Sequence, residues 1–341
     1  MSDATVTVAI PTYNRVALLR EALESVLAQT HSDFRLVIGD NASTDNTAEV
    51  VASYCDTRIE YVRSDRNIGM IANFNRLIAL TETEFLMLLP DDDRLYPDYL
   101  NSVLEILQQN SRVGLAHTAF DVIDIDSRLQ KHAASFLRSN HPVLVEPGRA
   151  FLERSMTSGL ALQSSITFRT RAIREAGGMT TRDEPLADVP LFMRIAMNWD
   201  IAYLDRPLVA VRDHDQTETV RFASRDKGKR NAGDRPVPWA RMMFDRRIGF
   251  LDEAGLPSHE ANRYRSLATL RFLVDRAGLG APWLQTWADF ARIVRLYPRI
   301  LTHLIAWRFI AAQCGARTVR RATYRLGPVV HELSRTRSPR T

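Results

Sequence analysis

The chain has 341 residues, 45% hydrophobic and 25% charged, with 15 Gly, 15 Pro and two Cys, a globular composition that excludes a disordered, collagenous or disulfide-framework protein. Folding at this length buries roughly three quarters of the unfolded surface without staples, so Cys55 and Cys314 are expected to be free thiols in a reducing, cytoplasmic setting. Charge is uneven: residues 1–219 hold 21 Lys+Arg against 31 Asp+Glu, and residues 220–341 hold 24 against 9, so an acidic body (net −10) precedes a basic, Arg-rich tail (net +15) that suits an anionic partner.

Met1 to Thr5 enters an apolar run without a basic or long hydrophobic leader, and no signal peptide is expected. Val6–Pro11, Arg35–Gly39, Ile59–Val62, Phe85–Leu89 and Val113–His117 are short β-branched runs that predict buried strands. Between them Val16–Gln29, Thr47–Tyr54, Gly69–Leu80 and Pro97–Gln109 carry helical spacing, with Pro97 suited to a first helical turn. This alternation predicts an α/β fold with a mostly parallel central sheet flanked by helices. Ligands of such sheets lie beyond the strand C-termini.

From Phe120 the pattern is mixed. Pro147–Arg154 reads as a helix, Ser164–Phe168 as a strand, Gly177-Gly178 as a turn, Asp188–Asn198 as a helix, and Ile201–Leu204 and Leu208–Val211 as two strands. Residues 218–238 read as a flexible loop, 239–330 as a helical basic C-terminal extension, and 331–341 as a frayed end. In that extension Trp283, Trp287, Phe290, Trp307 and Phe309 alternate with Arg292, Arg295, Arg299, Arg308 and Arg317. Such helices either lie against an anionic membrane face or pack on the body with arginines outward. Leu301–Ala312 is interrupted by His303 and Arg308 and is shorter than the ~18 residues of a membrane span.

The chemistry gathers after the strands. Pro90-Asp91-Asp92-Asp93 ends a buried strand with three carboxylates whose mutual repulsion calls for a compensating cation or solvent. Hard oxygen donors of this kind suit Mg²⁺ or Mn²⁺. Asp40 follows the second strand, placed to accept from a base or a ribose hydroxyl, while Ser43 and Asp45 suit helix capping. Tyr13 offers a ring after the first strand. No G-x-G-x-x-G or G-x-x-x-x-G-K-[ST] run is present, which disfavours a dinucleotide-binding Rossmann enzyme and a P-loop NTPase.

Together Val8-Ala9-Ile10-Pro11-Thr12-Tyr13-Asn14-Arg15, Asp40–Thr47, Arg66-Asn67-Ile68-Gly69, Leu89–Asp93 with Pro97, Gly177-Gly178-Met179, Leu186-Ala187-Asp188 and Arg212-Asp213-His214 resemble family-2 glycosyltransferases of the GT-A fold. The resemblance covers about residues 5–217. It implies a catalytic domain over 1–217, with a nucleotide-sugar half at 1–119 and an acceptor half at 120–217. It also implies that Pro11, Tyr13, Asn14, Asp40, Arg66 and Asn67 line the nucleotide site and that Asp91 faces the ribose. Asp92 is then the main metal ligand, with Asp93 and His214 beside it. Pro90 stands where many members carry the first Asp of their metal motif, and Ala187 replaces the Glu of their Glu-Asp pair; Asp188 keeps the Asp.

On this resemblance Asp188 takes the acceptor's hydroxyl proton, with Asp183 and Glu184 as rivals on the same loop. The implied activity is metal-dependent, inverting transfer from a nucleotide-diphosphate sugar to a hydroxyl of a glycan, lipid-linked sugar or small molecule, in cell-surface polysaccharide or glycoconjugate synthesis. No nucleic-acid partner is expected. Two alternatives stay open. One is a sugar-1-phosphate nucleotidyltransferase, although the first strand's turn lacks that class's Gly-rich triphosphate loop. The other is a non-catalytic anion- or nucleic-acid-binding protein led by the Arg-rich region.

Overall fold

Apolar strands form the core of the sheet-bearing part of the chain. The computed structural model describes residues 4–134, 141–157, 161–184, 186–213 and 238–278, with short helical pieces at 290–291 and 294–295. Two compact units divide the chain, residues 1–152 with 159–222 and residues 153–158 with 223–341.

In the first unit β1 (Val6–Thr12), α1 (Val16–Leu27), β2 (Phe34–Asp40), α2 (Thr47–Ala52), β3 (Ile59–Arg63), α3 (Met70–Leu80) and β4 (Phe85–Leu88) alternate as expected. β5 (Arg94–Leu95), α4 (Tyr99–Gln109), β6 (Val113–Ile123), β7 (Leu129–Ala134), β8 (Val143–Glu146) and α5 (Gly148–Ser155) follow. The unit ends with β9 (Ile166–Arg169), α6 (Thr170–Glu175), α7 (Asp188–Ala196) and β10 (Asp200–Arg212). α4 starts two residues after Pro97, whose carbonyl instead accepts from the Thr30 amide at 2.9 Å.

The sheet runs β3-β2-β1-β4-β9-β6-β10-β5, with β7 on β6 and β8 on β10. β1 to β4 pair in parallel. Beyond them the sheet becomes mixed, because β9 is antiparallel to both β4 and β6 while β6 and β10 are parallel. The two expected strands around Pro207 are one strand. Register shifts at Leu204/Pro207 and Pro207/Ala210 absorb a proline that has no amide to give the ladder.

One core layer packs α1 and α4 on the sheet, with Ile10, Leu19, Leu23, Met87, Tyr99 and Val103 fully buried. On the other face Gly39 lets α3 approach: a Cβ there would lie 2.8 Å from a Leu77 methyl. Parallel register aligns Thr12 with Asp40 and Asp40 with Arg63. The acidic turn at 90–93 follows β4, which pairs with β1 on its other side, so the ends of β1, β2 and β4 converge on one edge of the sheet.

In the second unit α8 (Pro238–Glu253) and α9 (Ser258–Gly278) bury Leu251, Leu267 and Leu270 and stack Phe244 on Phe272 at 4.8 Å between ring centres. Most of the aromatic and Arg-rich stretch from Trp283 onward and the loop at 218–237 lie outside the described residues. Among the described residues no helix is long and apolar enough to cross a membrane.

Candidate functional site

At the β2 end Asp40 is buried, and its carboxylate is fully dressed. The Ser43 amide and hydroxyl donate to Oδ1 at 2.9 and 2.6 Å, the Tyr61 hydroxyl donates to Oδ2 at 2.5 Å, and Arg63 Nε lies 3.4 Å from Oδ2. Burial and this bond push the Tyr61 phenol far above its ordinary range. The turn after β1 joins the same group. Asn14, at φ 53°, donates its amide to Ser43 Oγ at 3.0 Å and accepts from the Thr44 amide at 2.7 Å. Asp45 accepts from the Thr47 amide at 3.2 Å and the Thr47 hydroxyl at 2.6 Å, where α2 begins with Asn46 at its N-cap and no side-chain cap bond. Asn67 is placed by the Asn41 side-chain amide at 2.9 Å. Tyr13 is 42% exposed, and Arg66, in the loop after β3, is exposed as well. These residues form a polar shelf at the strand ends.

The acidic turn splits its three carboxylates. Asp91 is buried and accepts from the Thr12 hydroxyl at 2.8 Å; one guanidinium nitrogen of Arg15 reaches both Asp91 at 3.2 Å and Asp92 at 3.0 Å. Burial and the neighbouring Asp92 charge push Asp91 up to about 6. Asp93 faces another way. It accepts from the Ser164 hydroxyl and, at 2.8 Å, from the Arg212 amide, and burial with the Asp92 charge raises its pKa. Its two oxygens thereby tie the turn to β10 and to the segment before β9. Among the described residues no group of three or more His, Cys, Asp or Glu side chains is placed to hold a metal ion. His214 lies outside the described residues.

Arg212, whose side chain is 0% exposed, locks this turn in place. It donates to the carbonyls of Asp92 at 2.9 Å, Asp124 at 3.0 Å and Ile125 at 2.9 Å, and to Glu21 Oε2 at 2.8 Å. Burial opposes the Glu21 charge, but the bonds from Ser127 and Arg212 hold that carboxyl below its usual range.

Asp188 is the first residue of α7 and half-buried. Burial pushes it up to about 6, against the stabilising amides of Val189 and of Asp188 itself. A carboxyl near 6 is ionised at neutral pH yet still a competent proton acceptor. Its rival Asp183 is buried in a 3-10 turn and bonded by the Thr180 hydroxyl, and Glu184 is half-buried at the turn's end. Sequence reasoning missed Thr12, Arg15, Ser43, Tyr61, Arg63 and Arg212 as site residues. Thr12, Arg15, Ser43 and Arg212 lie inside the motifs that carry the resemblance and were within reach of a position-by-position reading; Tyr61 and Arg63 carry no local signal.

Residues 7–162 match the family model described as glycosyl transferase family 2. A putative colanic acid biosynthesis glycosyl transferase, WcaA of Escherichia coli, is 34% identical over 106 residues, which is 30% of this chain and 38% of that protein. Matched segments span from 20% to 73% of the curated relatives' lengths. The structure of S. aureus TarS 1-349 in complex with UDP-GlcNAc superposes with a TM-score of 0.61 at 16% identity, covering 95% of this chain and 92% of that one. The mannosyltransferase PcManGT from Pyrobaculum calidifontis, in complex with GDP-Man and Mn²⁺, superposes with a TM-score of 0.51 at 17% identity, covering 90% and 85%. These structural likenesses establish the fold.

Proposed function

We propose, from the match of residues 7–162 to the glycosyl transferase family 2 model and the GT-A-type fold, that the chain is a family-2 glycosyltransferase performing metal-dependent, inverting transfer from a nucleotide-diphosphate sugar to a hydroxyl acceptor. The observation that carries the reading is the pair Asp91 and Asp92 at the strand ends, both within 3.2 Å of the same Arg15 guanidinium nitrogen. Two adjacent hard-oxygen carboxylates of this kind fit Mg²⁺ or Mn²⁺, which take one or two carboxylates and complete their shell with water and phosphate oxygens. When bound, the ion supplies neutralising charge for the departing diphosphate.

The chain's own residues do the rest. Tyr13, Asn14, Asp40, Arg66 and Asn67 form the nucleotide shelf, Asp91 faces the ribose, and Asp92 is the main ligand. His214, two residues past β10, is assigned to the diphosphate side. The acceptor oxygen forms a bond to the anomeric carbon from the face opposite the leaving group, the carbon–oxygen bond to the diphosphate breaks, and Asp188 accepts the hydroxyl proton. The relatives' names support polysaccharide or glycoconjugate synthesis, and the neighbours' ligands support a nucleotide-sugar donor. We assign the acceptor to the hydroxyl-bearing saccharides or lipid-linked sugars, and the basic C-terminal segment to contact with an anionic membrane face.

The test is a thermal-shift panel of UDP-, GDP-, dTDP- and CMP-sugars, each with Mn²⁺, Mg²⁺ or EDTA. A ligand of the native state raises its stability by mass action. A shift with one nucleotide that disappears in EDTA is the expected result. Shifts equal in metal and in EDTA refute the metal requirement, and no shift from any donor refutes the donor assignment.

A further inference from the structure

The Gly177-Gly178-Met179 turn is distant in sequence from the donor residues, yet it is bonded to the helix that braces them. Asn75 of α3 donates Nδ2 to the Met179 carbonyl at 2.8 Å and accepts the Met179 amide on Oδ1 at 2.9 Å. A side-chain amide thus pairs with both polar groups of one residue as a neighbouring strand would. Gly178 is required for that approach: its φ is +67°, and a Cβ there would stand 2.6 Å from Asn75 Oδ1. From the other side Arg194 of α7 donates to the carbonyls of Ala176 at 2.8 Å and Gly178 at 2.6 Å. α3 is itself tied to the donor strands, through Asn73 to the Gly39 carbonyl at 2.7 Å and Arg76 to the Val62 carbonyl at 2.7 Å.

We propose that Asn75 is a positioning residue that sets the helix carrying Asp188 against the nucleotide half through the Gly177–Met179 turn. The series runs from the end of β2, through α3 and the turn, to the α7 helix that Asp188 begins. A proton acceptor misplaced by about 1 Å costs on the order of 100-fold in rate even when both substrates still bind. Asn75 touches no reacting atom; it acts through backbone. This inference rests on Asp188 being the base, and its test separates the two.

Asn75→Ala and Gly178→Ala are compared with Gln29→Ala, a control that removes a buried clamp from the residue just past α1 to the Tyr96 carbonyl and Leu100 amide away from the turn. Nucleotide release from UDP-GlcNAc and GDP-mannose with Mn²⁺ gives kcat and KM, titration gives the donor Kd, and hydrogen exchange reports residues 177–192 and 34–40. The expected result is a kcat at least about tenfold lower in both turn variants, donor Kd within about twofold of wild type, and faster exchange at 177–192 alone. Asn75→Asp keeps an acceptor for the Met179 amide but turns a carboxylate oxygen to the Met179 carbonyl in place of the Nδ2 donor, and does not recover kcat. Unchanged exchange at 177–192, or an equal kcat loss in Gln29→Ala, overturns the inference. If Asp188→Asn turns over like wild type, the base assignment fails instead, and the exchange data still decide whether Asn75 holds the turn.

Discussion

Replacing Asp188 by Asn separates catalysis from stability with opposite signs. Burial lifts this carboxyl from an ordinary 3.8 to about 6. The folded chain therefore binds the proton more tightly than the unfolded chain, and wild-type stability falls as pH rises from about 4 to about 6. Above that window the ionised carboxyl costs up to about 3 kcal/mol, at about 1.4 kcal/mol for each pH unit between the two values. Asn is neutral throughout, so the variant matches wild type below pH 4 and becomes more stable above pH 7. For a unit of this size that is an increase in Tm of about 6–12 °C at most. Donor binding is retained, while transfer falls by about 10² to 10⁴. Wild-type kcat rises with pH through an inflection near 6, since the base must be ionised. The assays are Tm against pH for both proteins and nucleotide release against pH for wild type. A Tm difference independent of pH refutes the burial argument; full activity of the variant refutes the base.

Asp92→Asn weakens Mn²⁺-dependent donor binding by at least about tenfold, read by titration with and without EDTA. A donor Kd that is unchanged in Mn²⁺ would remove Asp92 from the metal site. Arg212→Met strips a buried charge from Glu21 and three carbonyls, and costs about 3–5 kcal/mol in urea denaturation; a cost below about 1 kcal/mol contradicts the locking role. Tyr61→Phe deletes the hydroxyl donated to buried Asp40, with about 1–2 kcal/mol lost from stability and weaker nucleotide binding by titration. Unaltered binding would place the base away from this shelf.

Strands β1 to β4 and helices α1 to α4 were legible because each is a local pattern: β-branched runs long enough to be buried, and apolar residues such as Leu19, Ala22 and Leu23 spaced on one helical face. The carboxylates after Leu89 were legible for the same reason, as charges placed where a buried strand ends. Short edge strands left no such trace. β5 has two residues, and β8 exposes Val143 and Val145, so neither shows the alternation of a half-buried strand. The long-range choices were equally silent. Which carboxylate of the triplet turns inward depended on Ser164 and on the Arg212 amide, 71 and 119 residues away. The order β4-β9-β6 set β9 antiparallel between two parallel groups. Local periodicity is written in neighbouring side chains; buried polar pairing is settled only when the closed chain decides which donors remain for each desolvated acceptor.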